Sequence, residues 1–280
     1  MDKDDRLIPL TRIAFTPLAL FTAIFGPLLV IFPGATDVFW SWPVKPEMSA
    51  VWIGAGYTFG GLAITTMLVV GRWSASAVAV LGTWPFSIAV LAATLLHLDR
   101  FFVDSPRFYI WMVIYLGLPV VLPAMFWLNR RRDPGPRPTD VMLPSVVRTA
   151  LVVAGVPLLL LGLVLFLAPS MAAGFWPWQL TLLMSRVVGA WLTFIGTGAL
   201  CALFERRYIA FRYFLPPAAC WFTILLVGSL FHLGDFQTSR PSVIIYFAAL
   251  MVAILAIIAV FLIMERHYRA QAAGEAAPAF

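Results

Sequence analysis

The chain has 280 residues, of which 62% are hydrophobic and 11% charged, with a formal net charge of +6. A soluble domain carries about 25% charged residues, so this composition excludes an ordinary soluble fold. The basic excess does not point to nucleic acid, because the arginines follow a membrane-topology pattern described below.

The charges cluster and leave long neutral stretches. Taken in chain order, the apolar runs fall at 13–32, 48–71, 74–97, 108–129, 149–168, 182–204, 213–232 and 242–264. Each is about 20 residues or longer, enough for a helix to cross a hydrocarbon core. They are continuously apolar and lack the period-two alternation of a barrel. The expected fold is all-α: a polytopic membrane protein with eight transmembrane helices. The first run follows Lys3, Arg6 and Arg12, but it is long for a signal peptide, and its counterpart at 149–168 is internal.

The runs repeat. Sliding residues 1–135 along the chain by 136, then by 135 after about residue 50, aligns Arg12 with Arg148, Gly26 with Gly162, Pro33 with Pro169, and FWSW (39–42) with FWPW (175–178). The same register aligns Met48 with Met184, Gly54 with Gly189, Thr58 with Thr193, Arg72 with Arg207, His97 with His232, and Phe101 with Phe236. This pattern predicts two tandem parallel four-helix repeats at 1–132 and 145–269, related by a pseudo-two-fold axis along the membrane normal. Between them, 133–144 reads as a cytoplasmic linker, with the flexible stretch RRRDPGPRP at 130–138, and 270–280 reads as a disordered tail. With the N-terminus inside, 14 of the 19 lysines and arginines fall on the inner side. That asymmetry predicts both termini in the cytoplasm of a bacterial-type plasma membrane, with the basic excess facing anionic lipid.

Chemistry-bearing residues gather at the outer ends of the runs. HLDRF (97–101) closes the third run and HLGDF (232–236) closes the seventh. His97 and His232 therefore hold matched places, with Asp99 and Asp235 close behind. Arg186 lies just inside the sixth run, where its matched residue is Ala50. It either snorkels to the headgroups or pairs with Glu47, Asp99 or Asp235. Trp42 and Trp178 sit in proline-bearing loops on the same side, as headgroup anchors or as the lining of a pocket. Three readings of the histidines stay open: local helix capping; a polar vestibule shared with Asp99, Asp235 and Arg186; or ligation of haem or a metal, for which neutral imidazole is suited. No C-x-x-C, H-x-x-H, H-E-x-x-H, P-loop or G-x-S-x-G spacing is present. Cys201 and Cys220 both lie in apolar runs and read as small buried hydrophobes. Gly54, Gly56, Gly60 and Gly61 in the second run and Gly189, Gly196 and Gly198 in the sixth suggest close packing between those two helices. Pro85, Pro119, Pro123, Pro216 and Pro217 predict kinks.

The second half carries SRVVGAWLTFIGTGA (185–199) followed by ERRY (205–208) and two further apolar helices. On these residues each half resembles the small four-helix membrane proteins of the DoxX-like kind, although the first half lacks the arginine. The resemblance implies a four-helix unit and little about chemistry. The leading functional expectation is a non-enzymatic membrane protein that binds or moves a small or lipid-like molecule at an outward-facing polar pocket between the repeats. The pocket would be built from His97, His232, Asp99, Asp235, Arg186, Glu47, Trp42 and Trp178. The alternatives are a haem- or metal-binding redox membrane protein and an accessory or scaffold subunit of a membrane complex.

Overall fold

A computed structural model describes residues 3–274. It is all-helical, and the described residues include eight helices long and apolar enough to cross a membrane. They are α1 (Pro9–Ile31), α2 (Glu47–Val70), α3 (Ala77–Leu96), α4 (Pro106–Arg130), α5 (Ser145–Leu167), α6 (Leu182–Leu200), α7 (Leu215–Phe231) and α8 (Pro241–Ala272). Such helices satisfy their own backbone polar groups, the requirement that hydrocarbon imposes. An even number of long helices brings both ends of the described chain to one face, the terminal face. The loops at 32–46, 97–105, 168–181 and 232–240 form the opposite, distal face.

Local chemistry fixes the helix ends. Pro9, Pro106 and Pro241 open α1, α4 and α8, where a missing N–H costs nothing. The Thr181 hydroxyl accepts from the Met184 N–H at 3.1 Å and caps α6. Gly71 ends α2 with φ +65°, a conformation glycine adopts freely. Pro85, Pro119 and Pro123 are carried inside continuous helices. Pro216 and Pro217 instead lie in the first turn of α7, and a separate short helix, Tyr208–Arg212, precedes the seventh run.

The two halves interlock. α2 packs on α1 and on α7, while α6 packs on α5 and on α3; α3–α4 and α7–α8 complete the outer pairs. Consecutive helices α2 and α3 barely touch, so neither half closes into a bundle of its own. The glycines explain the tightest seams, and they correct the expected α2–α6 contact. A Cβ on Gly54 would lie 2.8 Å from the Gly26 carbonyl oxygen in α1. A Cβ on Gly189 would lie 2.6 Å from the Gly162 oxygen, and one on Gly196 would lie 2.7 Å from the Leu159 nitrogen, both in α5. The small residues thus draw α1 onto α2 and α5 onto α6. Of the four α2 glycines, Gly56 alone faces α6 closely, against the Trp191 ring. At the centre, the Phe59 and Phe194 rings meet at 5.3 Å.

Many contacts recur at matched positions. The Leu7 N–H donates to the Gly71 oxygen at 2.8 Å, and the Leu143 N–H donates to the Arg206 oxygen at 2.8 Å. On the distal face, Phe102 N–H to Ser41 O (3.0 Å) is matched by Gln237 N–H to Pro177 O (2.9 Å). The Trp111 indole donates to Thr94 at 3.0 Å, where the second half has Tyr246 against Ser229 at 3.1 Å.

The stretch expected to be a flexible linker makes defined contacts. The Asp133 side chain, in the stretch expected to be flexible, is only 2% exposed and accepts two bonds at 2.9 Å from Arg207. Arg207 also donates to Glu205 at 2.6 and 2.9 Å. Burial opposes ionisation of Asp133, but the bonds from Arg207 and the Gly135 N–H outweigh it and hold the carboxyl below its ordinary range. The linker is pinned because its acid neutralises a buried arginine. At the other end, α8 runs to Ala272, past residue 270 where the tail is expected to start; residues 275–280 of that expected tail lie outside the described residues.

Candidate functional site

The distal face brings helix ends from both halves together. His97 caps the C-terminus of α3, and His232 caps that of α7. α3 packs on α6 and α7 packs on α2, so each imidazole reaches the first turn of a helix from the other half.

At the α3–α6 corner, the Arg186 guanidinium meets His97 Nε2 at 2.5 Å. A guanidinium only donates, so Nε2 accepts and the ring proton sits on Nδ1. Burial lowers the His97 pKa, and the Arg186 and Arg100 charges lower it further against the opposing pull of Asp99. Both the contact and the shift favour the neutral ring. Arg186 takes none of the three acids proposed for it, and its buried Nε has no hydrogen-bond partner.

At the α2–α7 corner, His232 Nδ1 lies 3.7 Å from the Glu47 carboxylate in the first turn of α2. One turn along, the Asp235 carboxylate accepts from the Met48 N–H at 2.9 Å. It satisfies one of the open amides at the α2 N-terminus and places negative charge at the favourable end of the helix dipole.

Asp99 departs from expectation. It pairs with its neighbour Arg100 at 3.0 Å, with both side chains about 70% exposed, and acts on His97 through its charge alone. The tryptophans also move. Trp42 and Trp178 are 2% and 0% exposed, so they are not headgroup anchors. The loops fold inward and put them in an aromatic core, with Trp42 against Phe101 (4.8 Å) and Trp178 against Phe236 (5.3 Å). The Trp178 indole donates to Ser49 at 3.0 Å, while the Trp42 indole N–H is buried without a partner. The eight candidates therefore do not share one vestibule. Glu47, His232 and Asp235 form one corner, His97 and Arg186 another, and the two tryptophans support the face from beneath.

The α2–α7 corner opens onto a groove of about 640 Å³ between α1, α2 and α7. Glu47 and His232 stand at its distal end, and Val30, Ile31, Val227 and Phe231 are among the residues that wall it. Sequence reasoning missed these aliphatic walls, because a valine in an apolar run looks the same whether it faces lipid or a cleft. The groove is polar at one end and apolar along its length, the shape of a site for an amphiphile. Among the described residues, no group of three or more His, Cys, Asp or Glu gathers as a metal site. Cys201 and Cys220 are free thiols.

Comparison of the chain with protein-family models, with curated proteins and with solved structures finds no match, so the resemblance to DoxX-like proteins rests on the quoted residues alone.

Proposed function

We propose that the protein is a non-enzymatic, multi-pass membrane protein that holds an amphiphile in the groove between α2 and α7, with both termini cytoplasmic in a plasma membrane. We further propose that it arose as two tandem four-helix repeats. The recurrence of backbone and ring contacts at spacings of 136 and 135 residues supports the repeat reading. The basic asymmetry of the loops supports the orientation.

The observation that carries the binding reading is the groove itself, mostly apolar along its wall and bordered at the distal end by Glu47 and His232. A carboxylate beside an imidazole favours a head group with N–H or O–H donors, and the wall accepts one hydrocarbon chain. His97 and Arg186, at the matched corner, lock α3 to α6 in this reading rather than touch the ligand. Asp235 positions α2 by capping it.

The test uses a single-chain amine amphiphile with a photoreactive group in its chain, added to the protein in nanodiscs. Crosslinks should concentrate on Val30, Val227 and Phe231. Val227→Trp, which fills the groove, should abolish them, and Glu47→Gln should weaken them. Labelling spread evenly over the lipid-facing helices and unchanged in Val227→Trp would overturn the proposal.

A further inference from the structure

A second feature lies inside the first half, away from the α2–α7 groove. Tyr57 on α2 and Tyr115 on α4 are 3% and 1% exposed, and their hydroxyls hydrogen-bond to each other. Two phenols that share one bond use one O–H between them. The second O–H is left without an acceptor in the protein, deep in an apolar interior where an unmade bond is costly. Thr22 and Thr83, on the same cavity, donate to their own helices, to Leu18 O at 2.8 Å and Ala79 O at 2.7 Å.

The cavity at this pair holds about 40 Å³ and is bordered by Leu18 and Leu118. The same two leucines border a space of about 560 Å³ between α1 and α4, walled by Pro17, Phe21, Val113 and Gly117 on the outer surface of the helices. Leu18 and Leu118 thus stand between the apolar exterior and a free hydroxyl donor, and a change of rotamer at these two side chains would join the two spaces. The second half sets the contrast. Under the same register, Thr22, Tyr57, Thr83 and Tyr115 correspond to Leu158, Leu192, Ala218 and Leu250. All four polar positions are apolar there. The cavity among α5, α6, α7 and α8, about 190 Å³, is lined by apolar residues alone. Packing alone therefore does not require the tyrosine pair.

We propose that Tyr57 and Tyr115 form the polar end of a second site, entered from the bilayer side between α1 and α4 as Leu18 and Leu118 turn aside, for a neutral apolar molecule bearing a carbonyl or ether oxygen. The unfilled donor selects an acceptor. Neutrality follows from the surroundings, since 48–71, 74–96 and 108–129 contain no charged residue and a charge there would have no partner. The small inner cavity admits only the oxygen-bearing end, and the body lies in the outer space. This site does not depend on the α2–α7 groove and stands if that reading fails.

The probe is a long-chain aliphatic methyl ketone, isotope-labelled at the carbonyl, with the hydrocarbon of equal length as control. In protein-loaded nanodiscs the wild type should show a carbonyl stretch displaced to lower frequency by hydrogen bonding, absent in empty nanodiscs. Tyr57→Phe with Tyr115→Phe keeps the ring volumes and removes both hydroxyls. It should abolish the displaced band and weaken ketone binding about three- to tenfold, the worth of one net hydrogen bond, while hydrocarbon uptake stays unchanged. A melting curve confirms that the variant folds. A wild-type band that matches empty nanodiscs, as when water fills the cavity, or a displaced band that persists in the double variant, would overturn the proposal.

Discussion

Glycine-to-alanine substitution separates two forces at the helix seams. In a helix interior, alanine is favoured over glycine by about 1 kcal/mol. At Gly189 the added Cβ would sit 2.6 Å from the Gly162 oxygen, and at Gly196 it would sit 2.7 Å from the Leu159 nitrogen. Both obstacles are backbone, so α5 and α6 must move apart along a seam that Gly155, Gly162, Gly189 and Gly196 build together. Overpacking of this kind costs about 1–3 kcal/mol. At Gly117 nothing lies within 4 Å, and at Gly60 the nearest atom is the Thr22 methyl at 3.8 Å. There only the propensity gain remains. Gly189→Ala and Gly196→Ala should therefore be less stable than Gly117→Ala and Gly60→Ala by about 1–3 kcal/mol, because all four share the propensity gain and only the first two carry the overpacking cost. On the scale of about 2–4 °C per kcal/mol, that is a separation of several degrees in a detergent thermal melt. Gly54→Ala, opposed by the Gly26 oxygen at 2.8 Å, should follow the first pair. Equal melting of Gly189→Ala and Gly117→Ala would refute the seam argument.

Arg207→Met should cost about 3–5 kcal/mol at neutral pH, because it strands the buried Asp133 and Glu205 carboxylates without their cation. The sign with pH follows from Asp133. Its carboxyl is held low in the folded protein, so its stabilisation is present above about pH 4 and is lost as pH falls through the folded value. In the variant the stranded acids take up protons readily, so the gap to wild type should narrow on acidification; a gap that stays constant from pH 7 to 5 in denaturant melts would contradict this. Reporter fusions after Trp42, Asp99, Trp178 and Gln237 should read as external and a fusion after Arg132 as internal; an external reading at Arg132 would reverse the proposed orientation.

Depth along the helices was readable in the sequence, whereas direction around them was not. The apolar runs locate all eight long helices within a few residues, except where α8 continues past Met264 to Ala272. His97 and His232 do end matched helices, as their place at the close of each run implied. Their partners could not be read, because the partners are not matched: the position of Arg186 is Ala50 in the first half, and that of Glu47 is Leu183 in the second. Gly54 and Gly189 were visible as close-packing residues, but a helix that is apolar all round carries no stripe to say which neighbour it meets. Hence the expected α2–α6 contact became the α1–α2 and α5–α6 seams. Trp42 and Trp178 misled for a similar reason, since an indole beside a proline loop suits a headgroup and an aromatic core equally well. Asp133 was taken for linker solvent because its partner, Arg207, lies 74 residues away.

The central claim is that one amphiphile occupies the groove bordered at its distal end by Glu47 and His232. Native mass spectrometry of protein released from native membranes in mild detergent tests it directly. The wild type should carry a single lipid-sized adduct that survives gentle activation, and Val227→Trp, prepared identically, should fly as the bare chain. A wild type without a retained adduct, or the same adduct at equal occupancy in Val227→Trp, would contradict the claim.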